Sequence, residues 1–158
     1  MHFSLLKSNT VCFTVYFISL GSIIFWSFDN TLQDLYNIYN TVGTNGPTFS
    51  SPGYNGAGSC LQLSSSSAQS VSVASPFLNL TYKSFSLEVW AYPTTMNNPS
   101  SDNAIFGQYE QSSTSRGLHI NIRSQRIYFG FFGDDVSGTT VSKKEKARLV
   151  LVCEIHQY

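Results

Sequence analysis

The feature that most constrains the fold is a strict alternation of apolar and polar residues between Ser84 and Tyr92. In an extended chain, successive side chains point to opposite faces, so one face here carries Phe85, Leu87, Val89 and Ala91. Pro93 follows and ends the pattern. The alternation predicts a β-strand that packs one face against a core.

Other segments show the same kind of pattern at intervals along the chain. The predicted strands are Cys60–Leu63, Ser70–Ala74, Ala104–Tyr109, Leu118–Arg123 and Arg126–Phe132, with a hairpin turn at Ser124-Gln125. Gly and Pro residues punctuate Asp29–Ser59 and indicate a loop. Because no segment has a useful helical period, the sequence predicts an all-β fold of antiparallel strands, either a two-sheet sandwich or a jelly roll.

Composition narrows the range of functions. The 158 residues are 42% hydrophobic, which suits one domain with a real core. Charged residues make up 11% of the chain, with 9 basic and 9 acidic side chains. Since a nucleic-acid-binding surface needs an excess of positive charge, we expect no nucleic-acid partner.

The amino terminus has the pattern of a targeting segment. Lys7 precedes an apolar run, Val11–Leu20, and Ser19 and Gly21 supply the small residues of a signal-peptidase site. We therefore predict a signal peptide over residues 1–21. The alternatives are an uncleaved membrane anchor and a wrongly assigned start. Ile23–Phe28, which follows, is predicted to be a buried strand.

Two further features fit export. With Cys12 inside the signal segment, Cys60 and Cys153 remain as a pair that could form one disulfide bond, although they could also be two unrelated thiols. Asn79 begins a glycosylation sequon, Asn-Leu-Thr. The domain is therefore predicted to be secreted or extracellular, or membrane-anchored with the domain outside.

Three motifs carry a resemblance to a known family. They are FWSFD at Phe25–Asp29, GSCLQL at Gly58–Leu63 and FSLEVWAYP at Phe85–Pro93. Together they resemble the concanavalin A-like, laminin G-like jelly roll, over residues 22–141. The resemblance implies that the inward positions of three strands are buried together, namely Trp26, Phe28, Leu63, Leu87 and Val89.

The carboxyl terminus departs from that family. The strands expected after the hairpin are missing, so the jelly roll is predicted to be incomplete, with residues 142–158 as a divergent tail. Basic residues crowd Lys143–Arg148, and the apolar stretch Leu149–Ile155 is expected to dock loosely on an open edge without a fixed register.

Glycoside hydrolases share this fold, but the sequence does not support catalysis. A retaining enzyme needs two carboxylates about 5 Å apart, as at positions i and i+2 of one strand. Glu88 has no such partner, and Asp134 and Asp135 are adjacent. We predict a protein that is not an enzyme, with a degenerate hydrolase as a remote alternative.

Binding residues are harder to assign. Oxygen ligands suited to calcium occur at Asp134 and Asp135 near Gly133, and at Asp102 and Asn103, so these four are the candidate ligand-binding residues. The alternative, which we favour, is a solvated turn. No cofactor other than calcium is indicated. Trp90, Tyr109 and Tyr128 are candidate aromatic platforms for sugars.

Two classes of function follow. The first is a non-catalytic binding or adhesion module that recognises a glycan or an extracellular protein through loops at its rim. The second is a structural fragment with no ligand of its own. A membrane is expected as a partner only if the amino-terminal segment stays uncleaved.

Overall fold

The computed structural model describes residues 2–4, 14–19, 22–76, 78–80, 83–93, 102–109, 117–131, 134–140 and 147–153. Over these ranges the chain is all-β, without a helix. The strands are β1 (His2–Ser4), β2 (Thr14–Ser19), β3 (Ser22–Trp26), β4 (Val42–Thr44), β5 (Thr48–Ser50), β6 (Cys60–Gln62), β7 (Ser70–Ser72), β8 (Phe85–Ala91), β9 (Asn103–Tyr109), β10 (Gly117–Arg123), β11 (Arg126–Phe131), β12 (Asp134–Thr140) and β13 (Ala147–Cys153).

Two larger antiparallel sheets dominate the architecture. A five-stranded sheet has the order β1-β9-β10-β11-β12, and a four-stranded sheet has the order β13-β8-β2-β3. The pairs β4-β7 and β5-β6 form two small two-stranded sheets. The prediction of an all-β fold with antiparallel strands is therefore confirmed.

The strand predicted from the alternation forms as expected. β8 is buried at every second residue, and Phe85, Leu87, Val89 and Ala91 all face the core. Between β10 and β11 the turn residues Ser124 and Gln125 both have positive φ, 49° and 60°. Positive φ at both central residues matches the twist of a two-residue hairpin, so the predicted hairpin is also confirmed.

One hydrophobic cluster draws on both large sheets. Trp26 and Phe28 come from β3 and the residues after it, Leu87 and Val89 from β8, and Ile120 from β10. The five side chains predicted to be buried together are all in this cluster, and each is at most 1% exposed: Trp26, Phe28, Leu63, Leu87 and Val89. Burial of this apolar surface is the main force that holds the sheets together.

The segment predicted to be a signal peptide contains a strand of the four-stranded sheet. β2 pairs with β8 from Thr14 opposite Trp90 to Ser19 opposite Phe85, and with β3 from Val15 opposite Trp26 to Ser19 opposite Ser22. β2 is thus an interior strand with a neighbour on each side. Cleavage after Gly21 remains a prediction, and it would separate β2 from the rest of the chain.

The carboxyl-terminal segment also differs from expectation. β13 pairs with β8 at seven consecutive positions, from Ala147 opposite Ala91 to Cys153 opposite Phe85. We expected loose docking without a register, but Leu149 and Leu151 lie opposite Val89 and Leu87, so apolar residues pair with apolar residues across the two strands. That matched periodicity gives the edge strand a defined register.

Two smaller expectations need correction. Asp29–Ser59 is mostly loop but includes the short strands β4 and β5. Asp134 and Asp135 do not lie in a turn: they begin β12, with Asp135 opposite Gly130 of β11. Backbone pairing with β11 decided this conformation, and sequence spacing alone could not show it.

Candidate functional site

Charged side chains meet on one face of the five-stranded sheet. Arg123, at the end of β10, donates from Nε to Asp102 Oδ1 at 2.5 Å and from Nη2 to Asp102 Oδ2 at 2.8 Å. Nη1 of Arg123 lies 3.9 Å from Asp135 Oδ2, and its guanidinium carbon lies 4.8 Å from the centre of the Tyr128 ring. The arginine therefore holds both acidic residues and an aromatic ring in one cluster.

His119 extends this cluster toward the middle of the sheet. Its Nε2 lies 2.7 Å from Asp135 Oδ1, and its side chain is 9% exposed. Asp135 thus contacts His119 through one carboxylate oxygen and approaches Arg123 with the other. The register explains how His119 and Asp135 meet, because Gly130 of β11 lies opposite His119 on one side and opposite Asp135 on the other.

The pairing of Asp102 with Arg123 shifts the pKa of both side chains. The hydrogen bonds from Arg123 lower the pKa of Asp102, an effect that partial burial opposes. The pKa of Arg123 rises in turn, chiefly through the same hydrogen bonds. Asp102 is therefore ionised and paired near neutral pH.

The calcium candidates are brought only partly together. Asp102 and Asp135 lie on either side of Arg123, whose positive charge disfavours a cation between them. The side chain of Asp134 lies outside the described residues. Among the described side chains, no cluster of three or more His, Cys, Asp or Glu residues could hold a metal ion. Calcium binding by these aspartates remains a prediction.

Asn103 has a structural position. It is 6% exposed, and its Nδ2 donates to the Ile122 carbonyl of the neighbouring strand at 3.0 Å. Such a bond satisfies a buried amide and ties β9 to β10. Asn103 therefore contributes to the sheet, and its role in binding a ligand remains a prediction.

Cys60 is disulfide-bonded. Cys153 ends β13 and lies opposite Phe85 of β8. The side chain of Cys153 and the whole of Cys12 lie outside the described residues, so the bond between Cys60 and Cys153 remains a prediction.

The remaining predicted residues fall in different surroundings. Asn79 is exposed, as glycosylation requires, although Thr81 of its sequon lies outside the described residues. Trp90 is half-buried and stacks on Tyr54, with ring centres 5.1 Å apart and planes inclined at 29°. Tyr128 is covered on one face by Arg123. The side chain of Tyr109 is not among those described.

Sequence analysis missed the loop that follows β3. Asp34 is 3% exposed, and its Oδ1 accepts a hydrogen bond from the Phe25 amide at 2.8 Å. Its Oδ2 accepts from the Ile38 and Tyr39 amides, each at 3.2 Å. A buried carboxylate with three backbone donors fixes the path of the loop between Leu32 and Val42, which we call the Asp34 loop.

The Asp34 loop exposes apolar side chains to solvent. Leu35 is 68% exposed, Tyr36 48% and Ile38 54%. Exposed apolar residues are common singly, but three within four positions of a fixed loop form a patch. The segment LYNIY, directly after Asp34, already shows these apolar residues in the sequence. They were missed because the region was interpreted only as a polar loop.

Comparison with known protein families, with curated proteins and with solved structures finds no match to this chain. Within the described ranges, no helix has the length and apolar character needed to cross a bilayer.

Proposed function

We propose that the chain is a non-catalytic binding module that works in an oxidising, extracellular compartment and recognises a partner through its rim loops. The observation that carries this proposal is the Asp34 loop, in which a buried carboxylate holds Leu35, Tyr36 and Ile38 outward. Preorganised apolar and aromatic side chains bind with little loss of conformational entropy. Tyrosine is also among the residues enriched at the centres of interfaces.

The disulfide at Cys60 supports the location. Disulfides persist in secreted proteins and are rare in the cytosol. The exposed Asn79, which begins the predicted glycosylation sequon, agrees with the same compartment. A membrane-anchored form with the domain outside would serve the same function.

We further propose that the fold is a concanavalin A-like, laminin G-like jelly roll. Support comes from the joint burial of Trp26, Phe28 and Leu63, the residues that the family motifs mark as inward-facing. In the proposed function no residue is catalytic, and both Asp102 and Asp135 serve to fix Arg123. The alternative, a structural fragment without a ligand, leaves the exposed patch of the Asp34 loop without a role.

The test measures binding of the purified, labelled full chain to intact cells, to extracellular matrix and to a glycan array at physiological calcium. Binding should weaken at least about tenfold in the double variant Leu35→Ser, Ile38→Ser, because the apolar contacts are lost. Val136→Ser is the matched control, since Val136 is 65% exposed on β12 and outside the loop. No binding by the folded protein, or equal binding by the loop variant, would overturn the proposal.

A further inference from the structure

A shallow cavity of about 220 Å³ opens beside the end of β3. Its walls include Phe25, Asp29, Tyr54, Asn55 and Gly58. Pockets for drug-sized molecules are usually larger than about 300 Å³, so this one suits a single small group. We propose that it binds the primary ammonium group of a lysine side chain on a partner protein, which rests on the proposed binding function and gives it a charge-specific contact.

The negative charge of the cavity comes from Asp29, whose carboxylate is held by Ser59. Asp29 Oδ1 accepts from the Ser59 amide at 2.8 Å and from the Ser59 hydroxyl at 3.0 Å. These two bonds occupy both lone pairs of that oxygen. Among the described residues, no group donates a hydrogen bond to Oδ2 and no cation forms an ion pair with Asp29. Oδ2 can therefore accept from a positively charged donor on a ligand.

The single available oxygen of Asp29 selects the kind of cation. A guanidinium group binds a carboxylate best through both oxygens at once, and Oδ1 is already occupied. A quaternary ammonium group has no N–H to donate to Oδ2. A primary ammonium group is a compact charge with three donors, so it can bind Oδ2 alone. The geometry therefore favours lysine over arginine.

A glycine keeps this carboxylate close to the loop backbone. Gly58 has a φ of 61°, and a Cβ added there would lie 3.0 Å from both carboxylate oxygens of Asp29. A residue with a side chain would crowd the carboxylate and strain the backbone, whereas glycine does neither. The close approach holds Asp29 beside the loop that carries Tyr54.

Tyr54 supplies an aromatic wall. Its ring lines the cavity and stacks on Trp90, with the ring centres 5.1 Å apart. A ring held in this way loses little freedom when a ligand packs on it. An aromatic ring attracts a cation within about 6 Å of its centre, and the methylene groups of a lysine side chain pack well on apolar surface. The carboxylate and the ring thus match the two ends of a lysine side chain.

The sequence around the cavity is poor in positive charge. Tyr54 belongs to residues 35–82, a stretch of the sequence without a charged residue. Between Ser22 and Ser142 the sequence has four basic residues and seven acidic ones. Because an excess of negative charge attracts cationic groups, this part of the chain favours a basic partner.

The cavity adjoins the Asp34 loop at Phe25. Phe25 lines the cavity, its amide donates to Asp34 Oδ1, and its carbonyl accepts from the Leu35 amide. One partner can therefore contact the apolar patch of the loop and place a lysine in the cavity.

The test compares two small probes, N-acetyl-lysine N-methylamide and its norleucine analogue, which has a similar apolar chain without the ammonium group. Each is titrated into the full chain, and binding is measured by line broadening of the NMR signals of the probe. We expect saturable binding in the millimolar range for the lysine probe alone. An increase from about 20 mM to about 0.5 M NaCl should weaken this binding several-fold, because salt screens the charges. The arginine analogue and tetramethylammonium should bind more weakly than the lysine probe.

A change at Asp29 tests the charge. Asp29→Asn keeps one oxygen for the bonds from Ser59 and puts an amide donor in place of Oδ2. It should weaken binding of the lysine probe by at least about tenfold, the effect of one good contact. Glu154→Gln removes the same charge beyond the end of β13 and is the matched control, which should bind as the unmodified chain does.

Changes at Tyr54 and Asn55 keep the test independent of folding. Tyr54→Leu removes the ring and should weaken binding about fivefold, and Tyr54→Phe, which restores a ring, should bind more tightly than Tyr54→Leu. Asn55 Oδ1 accepts from the Ala57 amide at 3.0 Å, so Asn55→Asp keeps that bond and adds a negative charge to the cavity wall. This variant should bind the lysine probe about threefold more tightly, a gain that unfolding cannot produce.

The outcomes distinguish this site from the proposed function. The ammonium site is wrong if the lysine and norleucine probes behave alike, or if Asp29→Asn binds as the unmodified chain does. Tighter binding of the arginine analogue or of tetramethylammonium would overturn the assignment of a primary ammonium group. If the lysine probe does not bind but Leu35→Ser, Ile38→Ser still loses its partner, the site fails and the proposed function stands. If the lysine probe binds and the chain has no partner, the site stands and the proposed function fails.

Discussion

The Asp34 carboxylate lies against the edge of β3 and accepts a hydrogen bond from the Phe25 amide at 2.8 Å. Leu35 donates its own amide to the Phe25 carbonyl, also at 2.8 Å. Together these bonds satisfy the amide and the carbonyl of Phe25, which lie on an edge strand that could otherwise pair with another chain. At this residue a side chain and one backbone amide take the place of a neighbouring strand.

Replacement of the Asp34 carboxylate should lower the free energy of unfolding. Asp34→Ala leaves three buried or half-buried amides without their acceptor, those of Phe25, Ile38 and Tyr39. We expect a loss of about 3 kcal/mol in the free energy of unfolding, measured in urea. Gln33→Ala, at the adjacent exposed position, should change it by less than about 0.5 kcal/mol. Equal stabilities would show that the loop is fixed by other contacts.

Shortening of core side chains should also lower the stability of the fold. Leu87→Ala and Phe28→Ala each remove a side chain that is 0% exposed. The expected loss is about 2 to 5 kcal/mol, from the lost burial and the cavity left behind. The control Val136→Ala removes an apolar group that is 65% exposed. Unchanged melting temperatures in the core variants would mean that the strand faces are wrongly assigned.

The Asp102–Arg123 pair predicts a pH dependence. Because its pKa is lower in the folded state, Asp102 adds stability at pH values above its unfolded pKa of about 3.9, and this contribution is lost as pH falls through the lower folded pKa. The Asp102 side chain is 44% exposed, so Asp102→Asn should cost no more than about 1 kcal/mol at pH 7. Urea unfolding at pH 7 and at about pH 2 should show the difference shrinking toward zero. A constant difference would rule out the ion pair as its source.

The position of β2 predicts the effect of removing residues 1–21. A chain that starts at Ser22 loses β1 from the edge of the five-stranded sheet and β2 from between β8 and β3, and the strand edges left exposed become open to other chains. We expect a lower melting temperature and aggregation on a sizing column. A chain lacking residues 154–158, beyond β13, is the control. Full stability of the Ser22 chain would show that β2 is dispensable, as cleavage of a signal peptide requires.

Sequence patterns determined the strands that alternate strictly and the residues that they bury. Phe85 to Ala91 has one apolar face, and any packing that hides this face must bury Leu87 and Val89 together. The turn at Ser124-Gln125 was equally clear, because it separates two apolar runs by two residues. Period-2 patterning is local information, which a single sequence carries in full.

Only the tertiary structure decided which strands are neighbours and which side chains meet. The sequence suggested a removable leader for Thr14–Ser19 and a loose tail for Leu149–Ile155, yet β2 and β13 lie on either side of β8. Asp34 did not stand out in the sequence, and Asp135 stood out only as a calcium candidate. A strand edge gives Asp34 three backbone donors, and a cross-strand register brings Asp135 to His119. Such contacts join residues far apart in the chain, so their energies depend on a packing that local patterns do not specify.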